Sequence, residues 1–307
     1  MRNTINNILY HILFALWYAV AKLPAAFHYF NAWWLAMVLH HVVGYRRGVV
    51  RKQLTDSFPE KSEADIKRME REFYRHFCDI LVESVMFMGF SEKEIRRRMR
   101  FTNIEEPREA CQRGRSIALF LGHQANWEWV SSMALWIKDV TKPAQLYHPL
   151  ENPVMDRIVG YTRERFGSVN ISVNESVRKM LKLKKEGTSI MVGFIADQTP
   201  MWNNIHHWTP FLNHPETPVF TGAETLAKKL DMDVYYLDVR QVRRGYYEAE
   251  FILMTDAPRS LPDYAITDKY TQLLEQTILR QPALWLWSHK RWKRTKAEWE
   301  QRGYGKA

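Results

Sequence analysis

"SIALFLGHQANWEWV", residues 116–130, is the stretch whose reading decides the fold. Ile117 to Leu121 form an unbroken apolar run, short enough for a buried strand. Gly122 stops the run and lets the backbone turn, and His123 follows at once. In open α/β sheets, sites gather at the carboxyl ends of strands. The stretch therefore predicts a strand, a turn and a helix start, with His123 at the site. Glu128 stands five positions on, between Trp127 and Trp129. On a continuous helix, residues i and i+5 lie roughly 140° apart and do not meet. A loop leading into a helix brings them together. A neutral imidazole is a competent general base near pH 7. A carboxylate on its other ring nitrogen fixes the tautomer and stabilises the imidazolium. On spacing alone, a histidine merely satisfied at a strand end is the plain alternative.

The neighbouring texture supports a layered fold. "TSIMVGFIAD" (188–197) reads as a second buried strand and "PAQLYHP" (143–149) as a third, shorter one. "NESVRKMLKLKKEG" (174–187) reads as a helix stopped by Gly187, and "GAETLAKKLD" (222–231) as another. "MDVYYLDVRQVRRGYYEAEFILM" (232–254) predicts two antiparallel strands around Arg244-Gly245. "DYAITDKYTQLLEQTILRQP" (263–282) predicts a long final helix. Apolar strands alternating with helices point to an α/β fold with a mixed, mostly parallel sheet flanked by helices. Upstream, Ser62 reads as an N-cap with acids in the first turn. Ile66, Met69, Phe73, Phe77, Ile80 and Leu81 recur at helical spacing and predict the core face of a long amphipathic helix. "EIRRRMR" (94–100) is a basic cluster, read as a solvated helix face or a contact for lipid or substrate phosphates.

The amino-terminal run "INNILYHILFALWYAVAKLPAAFHYFNAWWLAMVLHHVV" (5–43) has Lys22 as its single charge, and Pro24 splits it. Ile8–Ala21 falls short of the ~20 residues that span a bilayer, whereas Ala25–Val43 has about the right length but carries His28, Asn31, His40 and His41. A buried helical hairpin and a membrane anchor in or partly through one leaflet are the two readings. A cleavable signal peptide fits poorly. Arg46, Arg47, Arg51 and Lys52 follow, which for an anchor places that end on the cytoplasmic side. The expected division is a membrane-associating helical segment over 1–45 and an α/β domain over 46–307.

Among 307 residues, 46% are hydrophobic and 25% charged, which excludes wholesale disorder. The net charge of +10 suits an anionic membrane surface or an acidic partner. No zinc-finger spacing, RRM signature or glycine-rich RNA clamp appears, so nucleic acid is not an expected partner. Twelve tryptophans and fourteen tyrosines fit a membrane–water interface. Cys78 and Cys111 form no metal-type pair and point weakly to a reducing compartment. His206, His207 and His214 match no zinc spacing, so no metal is expected, and they read as a loop lining the site. Ser131 and Ser132 lack the elbow of a serine hydrolase.

"GHQANWEW" (122–129) resembles the H-x4-D/E signature of the lysophospholipid acyltransferase superfamily. It is more closely similar to the bacterial lipid A late acyltransferases, whose block reads H-x-G-N-W-E. His123, Asn126, Trp127 and Glu128 match, and Ala125 stands in place of the glycine. "LYHPLENPVMD" (146–156) resembles the family's second block, with Tyr147 kept and His148 where arginine is usual. "GFIADQTP" (193–200) resembles the acidic strand-end block, with Asp197 and Gln198 matching and Thr199 replacing a second acid. "PFLNHPETPVFTGAETLAKKLDMDVYYLDV" (210–239) resembles a later block with a threonine, here Thr217, before the helix, and "ALWLWSHKRWKRT" (283–295) the closing aromatic-basic segment.

The resemblance covers nearly the whole chain. It implies a glycerolipid-acyltransferase-like fold and acyl transfer from a thioester, on acyl carrier protein foremost or on coenzyme A, to a hydroxyl of a lipid A precursor in the membrane. His123 becomes the base and Glu128 the acid that holds it. Asn126, Trp127, Tyr147, His148, Asp197, Gln198 and Thr217 become substrate-contacting positions, with backbone N–H groups near Asn126 as candidate oxyanion donors. No metal or organic cofactor is implied. The expected place is the cytoplasmic face of an inner membrane, and the basic segments are candidate contacts for an acidic carrier protein. Transfer to another lipid (a lysophospholipid, glycolipid or aminolipid) or non-catalytic lipid binding stand as the alternatives.

Overall fold

The computed structural model describes residues 2–304. Its strands are β1 (Met99–Phe101), β2 (Ile117–Leu121), β3 (Lys142–Tyr147), β4 (Val169–Ser172), β5 (Ile190–Ile195), β6 (His207–Phe211), β7 (His214–Val219), β8 (Asp233–Arg243) and β9 (Tyr246–Thr255). Seven form one sheet in the order β1-β9-β8-β2-β5-β3-β4, and β6 and β7 pair separately as an antiparallel hairpin. β8, β2, β5, β3 and β4 run parallel. β9 returns antiparallel to β8, and β1 lies parallel to β9. The mixed, mostly parallel sheet expected from the sequence is the one found.

β2 is buried along its whole length, as suits a central strand covered on both faces. Its alternation divides the interior in two. Ala118 and Phe120 join Val192, Phe194, Met180, Leu226 and Leu274 on one face. Leu119 and Leu121 join Met191, Trp129 and Met133 on the other. The first face is covered by α9 (Ser176–Lys185), α10 (Gly222–Leu230) and α11 (Ala265–Arg280). Between β1 and β4 the chain adds α6 (Glu105–Gln112), a short α7 (Ala134–Ile137) and α8 (Pro153–Glu164). α12 (Lys296–Gln301) follows the sheet domain.

Before the sheet come α1 (Arg2–Ala21), α2 (Ala25–Met37), α3 (Arg47–Ser57), α4 (Glu63–Gly89) and α5 (Glu92–Arg98). Ser62 caps α4 as expected, its hydroxyl accepting from the Asp65 amide at 3.2 Å. Ile66, Met69, Phe73 and Ile80 are buried, but Leu81 turns to solvent at 42% exposure.

The amino-terminal hairpin is neither wholly buried nor loose. α1 is the longer arm, contrary to the expected lengths, because its helix begins at Arg2 rather than at the first apolar residues. Its Thr4–Ala21 stretch is long and apolar enough to cross a membrane, and only 6% of it is buried. α2 continues as six π-helical residues, Val38–Val43. Its inner stripe, with Ala32 and Ala36, packs on α4 around Cys78. Its outer side leaves Phe30 64% exposed, Trp33 and Trp34 51% and Val42 78%. α1 ends against α4 so closely that a methyl on Gly89 would stand 2.5 Å from the Ala21 carbonyl oxygen. Lys22 seals the junction by donating to the Gly89 carbonyl at 2.7 Å. α1 also runs beside α8, with Arg157 over the Tyr10 ring at 3.7 Å and Phe14 edge-on to Tyr161.

The basic runs are spent mainly on packing. Arg47 and Arg51 reach the fully buried Glu70, which also binds His40. Arg46 donates to the Ser288 carbonyl, and Lys52 pairs with Asp56. In 94–100, Arg98 is buried against Glu94 and the Gly245 carbonyl, Arg96 stacks on Trp136, and Arg100 pairs with Glu248. Of its arginines Arg98 alone is buried; Arg96, Arg97 and Arg100 stay exposed, so the cluster is a solvated face anchored by one internal arginine.

Candidate active site

β2 and β5 lie side by side in register, Leu121 opposite Ile195. His123 and Asp197 each stand two residues beyond those paired ends, so the register alone brings them together. His123 Nδ1 donates to Asp197 Oδ1 at 2.6 Å, and the His123 amide donates to Oδ2 at 2.7 Å. Trp285 Nε1, from the closing aromatic segment, also donates to Oδ2 at 2.8 Å. Gly122 is required here. A methyl on it would stand 2.5 Å from Leu274 Cδ1 and 3.2 Å from Asp197 Oδ2. With Nδ1 donating to a carboxylate, Nε2 keeps its lone pair. The Gln198 amide nitrogen lies 3.5 Å from that atom.

The expected partner of the imidazole is thus corrected. Asp197, not Glu128, holds it. Glu128 instead accepts from Arg163 Nε at 2.9 Å and Nη2 at 2.7 Å, a bidentate pair. The chain leaves the turn in a 3-10 segment, Trp129–Met133, so Glu128 sits just before it and faces α8. Arg163 is a site residue that the sequence reading missed. Its signal was Asn152-Pro153, a cap followed by a proline at the first helical position, which predicts a helix reaching residue 163. Asn152 Oδ1 does accept from the Val154 and Met155 amides.

Electrostatics set the two acids apart. Burial opposes charge on Asp197, but His123 and the hydrogen bonds from its ring, its amide and Trp285 bring the carboxyl down to about 2. Burial likewise opposes the imidazolium, yet the charge of Asp197 and its hydrogen bond, helped by Glu128 and opposed by Arg163, leave the His123 pKa raised. Glu128 is held below the ordinary carboxylate range: burial works against it, and the Arg163 charge and hydrogen bonds prevail.

His123, Trp127, Glu128, Tyr147, His148, Arg163 and Gln198 all line one cavity of about 840 Å³. Trp127 meets the imidazole edge-on at 5.1 Å between centroids. Inward, the walls are apolar: Leu119, Leu121, Val130, Met133, Phe194 and Leu226. The cavity therefore offers a base and a guanidinium beside largely apolar walls.

Three expected contacts fall outside it: Asp197, which stands behind the imidazole, Asn126 and Thr217. Asn126 is fully buried. Its Oδ1 accepts from the Trp129 amide at 3.0 Å and its Nδ2 donates to Glu83 at 2.6 Å, so it shapes the turn from behind. Thr217 lies within β7, fully buried, and accepts from Trp292 Nε1 at 2.9 Å. The threonine at the helix start is Thr221, which does line the cavity. Of the histidine trio, His206 lines the cavity, His207 binds Asp268 and His214 stacks on Trp292.

The turn needs a left-handed residue, and Ala125 supplies it at φ 51°. Its amide donates to the Leu284 carbonyl at 3.1 Å, and His76 Nε2 reaches its carbonyl at 3.2 Å. Burial lowers the His76 pKa to about 4, so that ring is a neutral donor. The glycine usual in the resembled block is thus replaced by a residue in the conformation glycine favours.

A family model for bacterial lipid A biosynthesis acyltransferases matches residues 2–294. The chain is 22% identical over 251 residues to the lipid A biosynthesis palmitoleoyltransferase of Escherichia coli (strain K12), covering 81% of this chain and 79% of that protein. It is similar to the same extent to the lipid A biosynthesis acyltransferase of Shigella flexneri.

Proposed function

This chain belongs to the bacterial lipid A biosynthesis acyltransferase family and is an acyltransferase, and we propose that it moves a fatty acyl chain from acyl carrier protein to a hydroxyl of a lipid A precursor at the membrane. The observation that carries the reading is the His123–Asp197 pair at the wall of a largely apolar cavity. His123 Nε2 takes the proton of the acceptor hydroxyl as its oxygen attacks the thioester carbonyl. The tetrahedral oxyanion meets Arg163 and Gln198, two of the donor side chains that line the cavity. Collapse breaks the C–S bond, leaves the new ester and expels a thiolate, which recovers the proton from the imidazolium. Asp197 keeps the proton on Nδ1 before the step and stabilises the imidazolium during it. Glu128 holds Arg163 in place. Trp127, Tyr147 and His148 flank the acceptor, and the apolar chamber takes acyl chain.

The exposed outer face of the α1–α2 hairpin supports seating at a membrane, with the cavity served from the bilayer's cytoplasmic leaflet. Labelled acyl carrier protein thioester and lipid A precursor are to be given to the full-length protein. Transfer by the parent and its loss in His123→Ala are expected, and equal transfer by both would end the catalytic reading. Lipid from a strain lacking the protein should miss one acyl chain of lipid A, and an unchanged profile would exclude that acceptor. Replacing Phe30, Trp33 and Trp34 by serine should abolish flotation with anionic vesicles, and undiminished flotation would refute the seating.

A further inference from the structure

The chemistry above gives no role to Glu83, a fully buried acid in α4. Its Oε2 accepts from Asn126 Nδ2 at 2.6 Å and from the Tyr247 hydroxyl at 2.8 Å. Its Oε1 accepts from the Tyr29 hydroxyl at 2.9 Å, and its carbonyl accepts from Trp129 Nε1 at 3.1 Å. The three side-chain donors come from three places: the turn after β2, strand β9 and the hairpin helix α2. Among the described residues no cation pairs with this carboxylate; Arg244 binds Asp79 and Arg98 binds Glu94. Burial pushes the carboxyl up to about 7, against the hydrogen bonds from Tyr247, Tyr29 and Asn126. A buried acid without a cation is costly to keep. An apolar residue would pack the same space without that cost, so the acid's contacts need a reason.

The reason lies in what Asn126 does. It sits midway between His123 and Glu128 and ties the start of the 3-10 segment through the Trp129 amide. Without an acceptor, its buried Nδ2 would be orphaned, and the turn would have to rotate to satisfy it. Misplacement of reacting groups by about 1 Å costs on the order of 10²-fold in rate. We infer that Glu83 is a positioning residue for acyl transfer, fixing through Asn126 the turn that carries His123 and Glu128, and tying that turn through Tyr29 to the seat of the amino-terminal hairpin. The inference rests on the acyltransferase reading of the site.

The test uses the full chain in the thioester transfer assay, with the folded fraction measured by circular dichroism at the assay temperature. Glu83→Gln leaves one acceptor oxygen where the carboxylate had two, so one of the groups that donated to it, Asn126 Nδ2 among them, must face an amide N–H. We expect kcat to fall about tenfold or more, with KM for the donor within about twofold and the folded fraction unchanged. Adding Asn126→Asp reverses the polarity of that bond and should restore most of kcat. A Glu83→Gln protein with parental kcat, a loss that merely tracks unfolding, or a loss the second change does not repair would each overturn the role. Tyr29→Phe removes one hydroxyl and spares the fold. It should lower kcat about threefold, and this loss should vanish in the Glu83→Gln background. An unchanged kcat for Tyr29→Phe breaks the link to the hairpin. A parent protein with no transfer activity would sink the acyltransferase reading itself, whereas an active parent indifferent to Glu83 sinks only this inference.

Discussion

Two acids stand near the same imidazole, Asp197 buried and Glu128 half-buried, and they do different work because they arrive on different backbone. Asp197 comes off the end of β5, where strand register fixes its place beside His123. Glu128 comes off a turn whose shape depends on Ala125, Asn126 and their partners in α4 and near Leu284. The strand end delivers the imidazole's partner; the turn delivers the guanidinium's partner. The H-x4-E spacing names Glu128 but does not say which group that acid serves.

Substitutions can break this division of labour. The largest effect is expected for Asp197→Asn, which cannot hold Nδ1 protonated against a charge. Its kcat should fall about 10³- to 10⁴-fold, by the measure of other His–Asp pairs. The pH profile should move as well. A base must be neutral, and Asp197 raises the His123 pKa above its ordinary 6.5. The parent's acidic limb thus lies above that value, and activity disappears as pH falls through it. In Asp197→Asn the limb should shift to lower pH. Glu128→Gln leaves Asp197 in place and frees Arg163, so kcat should fall less, about 10²-fold, with a smaller shift of the limb. A larger shift for Glu128→Gln than for Asp197→Asn, read from kcat against pH, would reverse the assignment. The smallest effect belongs to Ala125→Gly. Relief of a left-handed alanine is worth about 1 kcal/mol, and the lost buried methyl costs a similar amount. Denaturant midpoints should barely move and activity should persist; a collapse of either would mean that the Ala125 methyl, rather than its φ, carries the turn.

Much of this was legible in the chain. The apolar runs at 117–121 and 190–195 gave the central strands, because strands covered on both faces cannot hide their composition. The 232–254 stretch gave its antiparallel pair through Arg244-Gly245. His123 was found by its place after a strand. What was not legible depended on distance in sequence. The link from His123 to Asp197 spans 74 residues, and only strand order makes them neighbours. Arg163 was hidden in a helix whose pattern is amphipathic but unremarked. Thr217 was misplaced because the threonine at the helix start is Thr221, four residues later and just before Gly222. The hairpin's sidedness was invisible, since composition does not tell which apolar residues face a neighbouring helix.

The strand order has one more result. β1, of three residues, and β4, of four, are the two outermost strands of the seven. The apolar central strands β2 and β5 are paired on both sides, and each outermost strand offers only a few free amides and carbonyls. Such stubs give another chain almost no ladder to extend. Strand addition at β1 or β4 is therefore disfavoured, and a protein with this much apolar surface on its hairpin keeps these two borders out of the traffic that surface invites.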